Sequence, residues 1–478
     1  MKRATEGETR HGGARVLRVL GRGLVVLLAF LLVPGVVFVI SAHGFDAAEY
    51  ARPATTTGST AAVDAANPPG HDPGKPTVAI VVGNSGANVA DTLVPYDMLA
   101  GTGAFNVYTV AAERRLVPLQ GGLDLVPDLD FRQLSRRLGG EPPDVTVVPD
   151  MPDFDEVSDR HVTTWLRDTA SRGLVLSVCT GARLVAEAGL LDGQNATTHW
   201  YRLAGLRDDH PAVHWRRGTR YVDDGTVITT GGLLSSVDGT LRVIERLAGT
   251  ETAAAAARRA GWRHYSPGTP ATLPVSRLTP SNAIVHLLNL GYRSDTTAVG
   301  VVLTNGVGEL ELASAFSPYA EVEAGRTVAL ASTPTVRSRH GLTFVPRARL
   351  TGGAADDVDR LLVPGRTAAA RPDPEVAAIA RAAGVAVEYP HRRPEFAFDP
   401  VLRSMSRNLD RPTARWTGKI LEHPATGLRP SDRGWPWAPT LRLLLLGLAG
   451  VAALVIVRVA AHLIPIDARR SWRPGTRR

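Results

Sequence analysis

Two long apolar runs, one near each end of the chain, limit what its 478 residues can fold into. Residues 23–42 contain no charged side chain. A helix of this length, at about 1.5 Å per residue, spans roughly the 30 Å of a bilayer's hydrocarbon core. Residues 441–464 form a second run, with Arg442 and Arg458 near its two ends, from where long side chains reach the interfaces. The sequence therefore predicts two transmembrane helices, at 23–42 and 439–464.

The positive charge of the chain is concentrated at its two ends. The formal net charge is +8, to which residues 1–22 contribute +4 and residues 458–478 contribute +5, so the interior is close to neutral. Basic flanks favour the cytoplasmic side of a membrane. We therefore expect both termini in the cytoplasm, the main domains outside, and no nucleic-acid partner. A cleaved signal peptide is the alternative for the first run, although its apolar stretch exceeds the roughly 7–15 residues typical of one.

The single cysteine, Cys179, stands at a predicted turn between a strand and a helix. Leu174–Val178 is an apolar run of strand length, and Gly181–Leu191 carries apolar residues at helical spacing. A sharp strand-to-helix turn is the geometry of a nucleophile elbow, and backbone N–H groups at a helix start favour a thiolate. The alternative is a buried and inert residue, because free cysteine is among the most buried residue types.

Apolar runs of strand length alternate with helical patterns between residues 76 and 250. The predicted strands lie at 78–82, 106–110, 145–148 and 174–178. This alternation predicts an α/β fold with a doubly wound, flavodoxin-like, mostly parallel sheet. Sites in such sheets form at the carboxyl ends of strands. We expect Asp91, Asp150 and Cys179 to converge there.

Three motifs follow one another around the cysteine. They read SVCTGA at Ser177–Ala182, AGLLDG at Ala188–Gly193 and ATTHW at Ala196–Trp200. Together with the loop 86–95 and the final strand and helix at 229–247, they resemble the ThiJ/PfpI family of the class I glutamine-amidotransferase-like superfamily. The similarity is closest to the isonitrile hydratase group and to the cysteine-bearing domain of AraC-type regulators.

The resemblance implies roles for five residues of the site. Cys179 would be the nucleophile, and Asp91 the acidic partner that hydrogen-bonds the thiol and passes a proton to the substrate. His199 would stabilise the thiolate or act as an acid. Thr180 stands where peptidase-like members carry histidine, and its hydroxyl would orient a water. Backbone N–H groups at Thr180 and Asp150 would hold a developing anion.

Each of these residues also has a structural interpretation. Asp91 suits the N-cap of a helix, Thr180 suits a tight turn, and His199 would be a core histidine buried against Trp200. Asp150 is the main departure from the family pattern, which usually has Gly-Gly here. An ionised carboxylate at Asp150 would raise the pKa of the thiol, which leaves catalysis open.

A second stretch of the chain, 297–425, repeats the pattern of the first in weaker form. The run at 298–304 echoes the first strand, but where the cysteine would stand the chain reads EYPH, at Glu388–His391. We predict a degenerate second domain that packs on the first and lacks cysteine chemistry. Glu309 and Glu311 are expected to be ordinary helix-start acids.

These interpretations divide the chain into eight segments. They are a basic cytoplasmic segment 1–22, a transmembrane helix 23–42, a flexible linker 43–75, a ThiJ/PfpI-like domain 76–250, a connector 251–296, a degenerate second domain 297–425, a transmembrane helix 439–464 and a basic cytoplasmic tail 465–478. The first domain is expected to act as a cysteine-dependent hydratase or hydrolase on a small electrophile. The alternative is a non-catalytic extracytoplasmic small-molecule sensor or binding module. No metal-ligand spacing or cofactor motif occurs in the sequence, so the expected partners are a small molecule and the lipid bilayer.

Overall fold

The computed structural model describes residues 6–51, 57–153, 156–169, 172–270, 272–293, 297–424 and 434–463. The chain forms two compact units. The helical unit comprises residues 1–44, 287–294 and 436–478, and the α/β unit comprises residues 45–286 and 295–435. The predicted cytoplasmic tail 465–478 lies outside the described residues.

The described helices and strands alternate along most of the α/β unit. The helices are α1 (Glu6–Glu49), α2 (Thr57–Ala65), α3 (Val89–Ala100), α4 (Phe131–Arg137), α5 (Glu156–Thr169), α6 (Ala182–Glu187), α7 (Leu203–Asp209), α8 (Ser235–Ala248), α9 (Thr250–Ala260), α10 (Pro280–Tyr292), α11 (Glu309–Ala320), α12 (Gly352–Asp356), α13 (Arg366–Ala370), α14 (Pro374–Ala383), α15 (Phe398–Asn408), α16 (Arg411–Ile420) and α17 (Trp437–Leu463). The strands are β1 (Thr77–Val81), β2 (Asn106–Ala111), β3 (Val117–Leu119), β4 (Leu123–Val126), β5 (Leu129–Asp130), β6 (Val145–Val148), β7 (Leu174–Ser177), β8 (Asn195–Ala196), β9 (His214–Trp215), β10 (Tyr221–Asp223), β11 (Val227–Thr230), β12 (Thr297–Val302), β13 (Gly325–Ala331), β14 (Val336–Arg337), β15 (Thr343–Val345), β16 (Ala348–Arg349), β17 (Arg360–Leu362) and β18 (Ala386–Glu388).

The main sheet has seven strands in the order β10-β11-β7-β6-β1-β2-β5. Every neighbouring pair is parallel except β10 and β11. All five residues of β1 are buried, as expected for a strand covered by helices on both faces. Because β1, β6 and β7 are parallel neighbours, their carboxyl ends meet at one edge. This is the mostly parallel, flavodoxin-like sheet that the sequence predicted.

A second sheet has five parallel strands in the order β16-β13-β12-β17-β18. This order matches that of β5-β2-β1-β6-β7 in the main sheet, strand for strand. After β18 the chain passes through His391 without entering a helix, and the next helix, α15, begins only at Phe398.

Two hairpins and two helices join the halves of the α/β unit. The hairpins β3-β4 and β14-β15 form one antiparallel sheet, in which Phe344 pairs with Leu125. Helices α3 and α11 pack against each other in opposite directions. Asp97, near the end of α3, accepts a hydrogen bond from the Leu310 backbone N–H at 3.1 Å. The N-cap residue of α3, Asn88, donates to a residue just after α11. The end of α11, in the second half of the α/β unit, therefore lies beside the start of α3.

The segment predicted as a flexible linker, 43–75, contains helical structure. Helix α1 continues through it to Glu49, and α2 forms a short helix within it. Alanine is frequent in both stretches and has the highest helix propensity. Near its end, the segment is fixed by Asn106, whose side chain exchanges hydrogen bonds with the Asp72 backbone at 2.9 and 2.8 Å.

Two described helices are long and apolar enough to cross a membrane, over Val19–Phe45 of α1 and Trp437–Ala461 of α17. Within the helical unit they approach closely at a glycine of α17. A Cβ on Gly450 would lie only 2.1 Å from the carbonyl oxygen of Ala29. Small residues at such crossings permit the close backbone approach by which apolar helices associate in lipid.

Replacing Gly450 with leucine is expected to lower the thermal midpoint of the full chain in detergent. The new side chain has no space beside Ala29, and forced overpacking costs about 1–3 kcal/mol. Thermal unfolding followed by circular dichroism measures the effect. Ala452→Leu is the matched control, because residue 452 of α17 is exposed. Equal midpoints for the two variants would contradict the observed helix packing.

Candidate cysteine site

Cys179 begins a short 3-10 turn, Cys179–Gly181, that joins β7 to α6. Its φ of 54° lies in the left-handed region, which costs a non-glycine residue on the order of 1–3 kcal/mol. Gly181 makes the turn possible, because a Cβ there would lie 2.2 Å from the carbonyl oxygen of Val148. The sharp strand-to-helix turn expected from the sequence is therefore formed, with strain stored at the cysteine.

Cys179 is only 3% exposed. Its backbone N–H donates to the Thr230 hydroxyl at 3.3 Å, and its carbonyl accepts from the Thr198 hydroxyl at 2.8 Å. The sulfur lies 3.7 Å from the hydroxyl of Thr180. Burial raises the pKa of the Cys179 thiol well above its ordinary value. The pKa is raised further by an acidic cluster, which consists of Asp91, Asp150 and Glu321. The thiol is therefore protonated at neutral pH.

Asp91 is the third residue of α3 and is fully buried. Its Oδ2 accepts a hydrogen bond from the Asp150 backbone N–H at 3.1 Å, whereas Oδ1 has no partner among the described residues. Burial, followed by the neighbouring Asp150 carboxyl, raises the pKa of Asp91 well above its ordinary value. The N-cap of α3 is Asn88 rather than Asp91, because the Asn88 side chain accepts from the N–H groups of Ala90 and Asp91. Asp91 thus has no capping role, and in this state it makes no hydrogen bond to Cys179.

Asp150 directly follows β6, and its backbone N–H and carbonyl both form hydrogen bonds with residues at the start of α3. The Asp150 N–H donates to Asp91 Oδ2, and the Asp150 carbonyl accepts a hydrogen bond from the Asn88 N–H at 2.8 Å. The N–H that the resemblance assigned to an oxyanion hole is therefore already engaged. Burial raises the pKa of the Asp150 carboxyl to about 6, against the opposing effect of Arg183 and Arg202.

His199 is buried and hydrogen-bonded far along the chain. Its Nε2–H donates to the carbonyl of Ile420, at the end of α16, at 3.0 Å. Burial lowers the pKa of His199 to about 4, so the ring is neutral. Its ring is tilted against that of Trp200, with centroids 5.6 Å apart. Among the described residues no hydrogen bond joins His199 to Cys179, and the geometry is that of a core histidine.

Tyr50, which no sequence motif marks, lies beside the acidic cluster. A Cβ on Gly86 would lie 2.4 Å from the Tyr50 ring, so this ring occupies the space that a larger residue would need. Burial raises the pKa of the Tyr50 phenol well above its ordinary value, and Glu49 and all three members of the acidic cluster raise it further. Since the same three carboxyls act on Cys179, the phenol and the thiol face one acidic cluster.

The neighbours of Tyr50 hold it in place, and residues 49–51 are called the Tyr50 cover below. The Glu49 carboxylate accepts from the side-chain amide of Gln120, and its carbonyl accepts from the Gly121 N–H at 3.3 Å. The Ala51 carbonyl accepts from the Arg347 guanidinium at 2.8 Å. The cover is thus fixed to both halves of the α/β unit.

Glu321 closes the cluster from the second half of the chain. It directly follows α11, and its carboxylate accepts from the side-chain amide of Asn88 at 2.8 Å. Burial raises the pKa of Glu321 to about 7. The repeat pattern in the sequence does not mark Glu321, because this residue lies in the second half of the chain but contacts the site in the first half.

The sequence comparisons match the first half of the chain. The DJ-1/PfpI family profile matches residues 76–246. An isonitrile hydratase from Pseudomonas putida is 32% identical over 165 residues, which cover 34% of this chain and 68% of the hydratase. The chain belongs to the DJ-1/PfpI family. The resemblance recognised in the sequence is thereby confirmed for this region.

The chain is also similar to a transcriptional regulator and to a family protein of known structure. The HTH-type transcriptional regulator GbdR of Pseudomonas aeruginosa is 28% identical over 170 residues, which cover 35% of this chain and 44% of the regulator. A crystal structure of a ThiJ/PfpI family protein from Pseudomonas syringae is 25% identical with a TM-score of 0.36, and covers 43% of this chain and 87% of that one.

Downstream of the DJ-1/PfpI domain, Glu311 lies in the position that Asp91 has in α3. It is the third residue of α11 and accepts the Arg366 N–H, after β17, at 3.0 Å. Near the place where a cysteine would stand, His391 accepts the Gly365 N–H at 3.0 Å. Glu311 does act at the start of its helix, because its carboxylate accepts the N–H of the N-cap residue Gly308 at 2.9 Å. It is also buried, which the sequence did not indicate.

A second buried network lies where α3 meets α11. Asp97, Glu309 and His340 bring potential metal-ligand atoms within 4.8 Å of one another. The three groups are already hydrogen-bonded, since Glu309 accepts from His340 Nδ1 at 2.8 Å and Asp97 accepts from the Leu310 N–H. Glu309 lies in the first turn of α11, as expected of a helix-start acid, and it is fully buried. These bonds make the set a polar network that joins the DJ-1/PfpI domain to the second half.

Proposed function

We propose that this chain is a membrane-anchored sensor or binding module of the DJ-1/PfpI family, in which Cys179 is not a working nucleophile in the described state. One observation carries the proposal: the Cys179 side chain is buried, and its sulfur has the Thr180 hydroxyl, not Asp91 or His199, as its hydrogen-bond contact among the described residues. Burial, followed by the nearby carboxyls, raises the pKa of this thiol. A cysteine hydratase or hydrolase needs the thiolate, because the thiolate and not the thiol attacks the substrate.

The groups that would support catalysis are used for structure instead. The Asp150 N–H binds Asp91 and is not free to stabilise an anion. His199 donates its ring N–H to Ile420 and is kept neutral by burial. A general acid or base must lie within hydrogen-bond reach of the reacting group, and neither Asp91 nor His199 is bonded to the thiol.

The membrane and tandem parts of the proposal have their own support. The two apolar helices and the basic ends of the chain favour two spans, with both termini in the cytoplasm and the α/β unit outside. The shared strand order of the two sheets supports a degenerate second DJ-1/PfpI-like half. That half supplies Glu321 to the cysteine site and Arg347 to the Tyr50 cover, so it completes the site from within one chain.

A second candidate function is a cysteine-dependent hydratase that is active only when Tyr50 is displaced from the cysteine site. It is supported by the strained φ of Cys179 together with the unpartnered Oδ1 of Asp91, since buried polar atoms without partners are rare and often functional. In this candidate, displacement of Tyr50 would give a small electrophile access to both groups.

Turnover of small isonitriles by the purified full chain distinguishes these functions. The proposal predicts no rate above that of Cys179→Ser, both for the isonitriles and for small aldehydes. Cys179-dependent turnover by the unmodified chain would overturn it. Turnover that appears only after Tyr50→Ala would favour the covered hydratase.

A further inference from the structure

A cavity of about 800 Å³ lies in the α/β unit, apart from the acidic cluster. Its walls come from residues 197–203 after β8, from the loop 217–219, from the extended segment 273–278, and from helices α15 and α16 with the residues that follow them. Its volume falls within the roughly 300–1,000 Å³ of small-molecule sites. The cavity thus has the size of a ligand site, and its walls come from four separated parts of the chain.

The charges around this cavity are almost all positive. Its basic side chains are those of Arg217, Arg277, Arg403, Arg415 and Lys419. The carboxyl side chain among its lining residues, Glu422, is held by the Gly232 N–H and the Ser235 hydroxyl. This carboxyl is therefore bonded to Gly232 and Ser235, and it forms no ion pair with a described arginine of the wall.

Three of the guanidinium groups have no assigned partner. Arg403 is paired with Glu395, and Lys419 donates to the side-chain oxygen of Asn282 at 2.9 Å. By contrast, Arg217, Arg277 and Arg415 make no side-chain hydrogen bond or ion pair with any described residue. Guanidinium groups recognise carboxylates and phosphates through paired N–H donors. All three side chains are exposed, so their N–H donors are accessible to an anion that enters the cavity.

The rest of the wall is apolar and aromatic. Trp200 and Tyr201 line it, together with Leu273, Val275, Leu278 and Leu402. Val275 and Leu278 are 52% and 45% exposed, so apolar surface of the wall faces solvent. A small inorganic anion would leave this surface in water, whereas a ligand with an apolar body would cover it.

We propose that this cavity binds an amphiphilic organic anion, with a carboxylate or phosphate at the arginines and an apolar chain along Trp200 and Leu278. The proposal rests on the assignment of this chain as a binding module and names its ligand class. Such an anion is either a soluble organic acid or an anionic lipid, and both present the same two chemical parts.

The cavity is also connected to the cysteine turn. The hydroxyl of Thr198, a wall residue, donates to the carbonyl of Cys179. Glu422, another wall residue, adopts a left-handed φ of 54° two residues after the Ile420 carbonyl that holds His199. A ligand in the cavity therefore contacts residues that fix the strained elbow, which gives binding a route to alter the reactivity of the thiol.

Equilibrium dialysis of radiolabelled decanoate tests the site, with the full chain in phosphatidylcholine nanodiscs and empty nanodiscs subtracted. Arg277→Glu/Arg415→Glu is expected to weaken binding by about 10-fold or more, because about 1.4 kcal/mol of lost charge pairing is tenfold in Kd. Arg381→Glu, at an exposed position of α14, is the matched control and should bind as the unmodified chain does. Decyltrimethylammonium should not compete with decanoate.

A second arm identifies the source of the anion. Nanodiscs that contain phosphatidic acid should weaken decanoate binding to the unmodified chain if a lipid is the natural occupant, and leave it unchanged if a soluble acid is. Both outcomes support the site. Absence of decanoate binding, or binding that survives the double charge reversal, would overturn it. Decanoate binding tests the cavity, whereas isonitrile turnover tests the proposed function. The two claims can therefore fail independently of each other.

Discussion

Replacing Tyr50 with alanine is expected to raise the rate at which iodoacetamide alkylates Cys179 by roughly 10- to 100-fold. A buried thiol reacts from a locally opened state, and burial of a large side chain contributes about 1.5–3 kcal/mol to keeping such a state closed. Loss of the ring over Gly86 removes that contribution. The measurement is the alkylation rate of the full chain at pH 8, followed by mass spectrometry.

Two control variants show whether the Tyr50 cover is the cause of the slow alkylation of Cys179. Tyr50→Phe keeps the ring and should react nearly as slowly as the unmodified chain. Leu247→Ala removes an exposed large side chain away from the site and should change nothing at Cys179. If all three variants alkylate at the unmodified rate, residues 49–51 do not cover the site.

Substitution of Gly181 by alanine should destabilise the α/β unit by about 2–4 kcal/mol, through overpacking against rigid backbone. A Cβ at this position would meet the carbonyl oxygens of Val148 and Pro149 at 2.2 and 2.7 Å, and neither can move without displacing β6. Urea unfolding followed by tryptophan fluorescence measures the shift in midpoint.

The control for this substitution is Gly205→Ala in α7, where an added Cβ has no atom within 4 Å. Alanine is a better helix former than glycine by up to about 1 kcal/mol, so this variant should be unchanged or slightly more stable. An unfolding midpoint for Gly181→Ala equal to that of Gly205→Ala would show that the turn tolerates a side chain.

The sheet and the elbow could be predicted because their signals are local. Strands β1, β6 and β7 are short, continuous apolar runs, which mark buried parallel strands. The turn at Cys179 is marked by the change from strand to helical spacing within a dozen residues. Predicted boundaries agree closely with the observed elements, and β6 occupies the predicted residues 145–148.

The environment of the thiol could not be predicted, because it depends on distant contacts. Tyr50 lies in a stretch rich in alanine, threonine and proline with no apolar period, and only its approach to Gly86 reveals its role. His199 is bonded to a carbonyl 221 residues away. Glu321 is one acid after a helix, with nothing in the local sequence to connect it to Cys179. The wall of the large cavity is likewise assembled from four separated segments.

The most direct test of the account is the pH dependence of Cys179 alkylation in the full chain, with Cys179→Ser as the blank. Burial and the acidic cluster both disfavour the thiolate, so the rate should stay low through neutral pH and rise only above the ordinary thiol pKa of about 8.5. Rapid labelling with an apparent pKa below about 7 would contradict the account, because it would show an accessible and activated nucleophile.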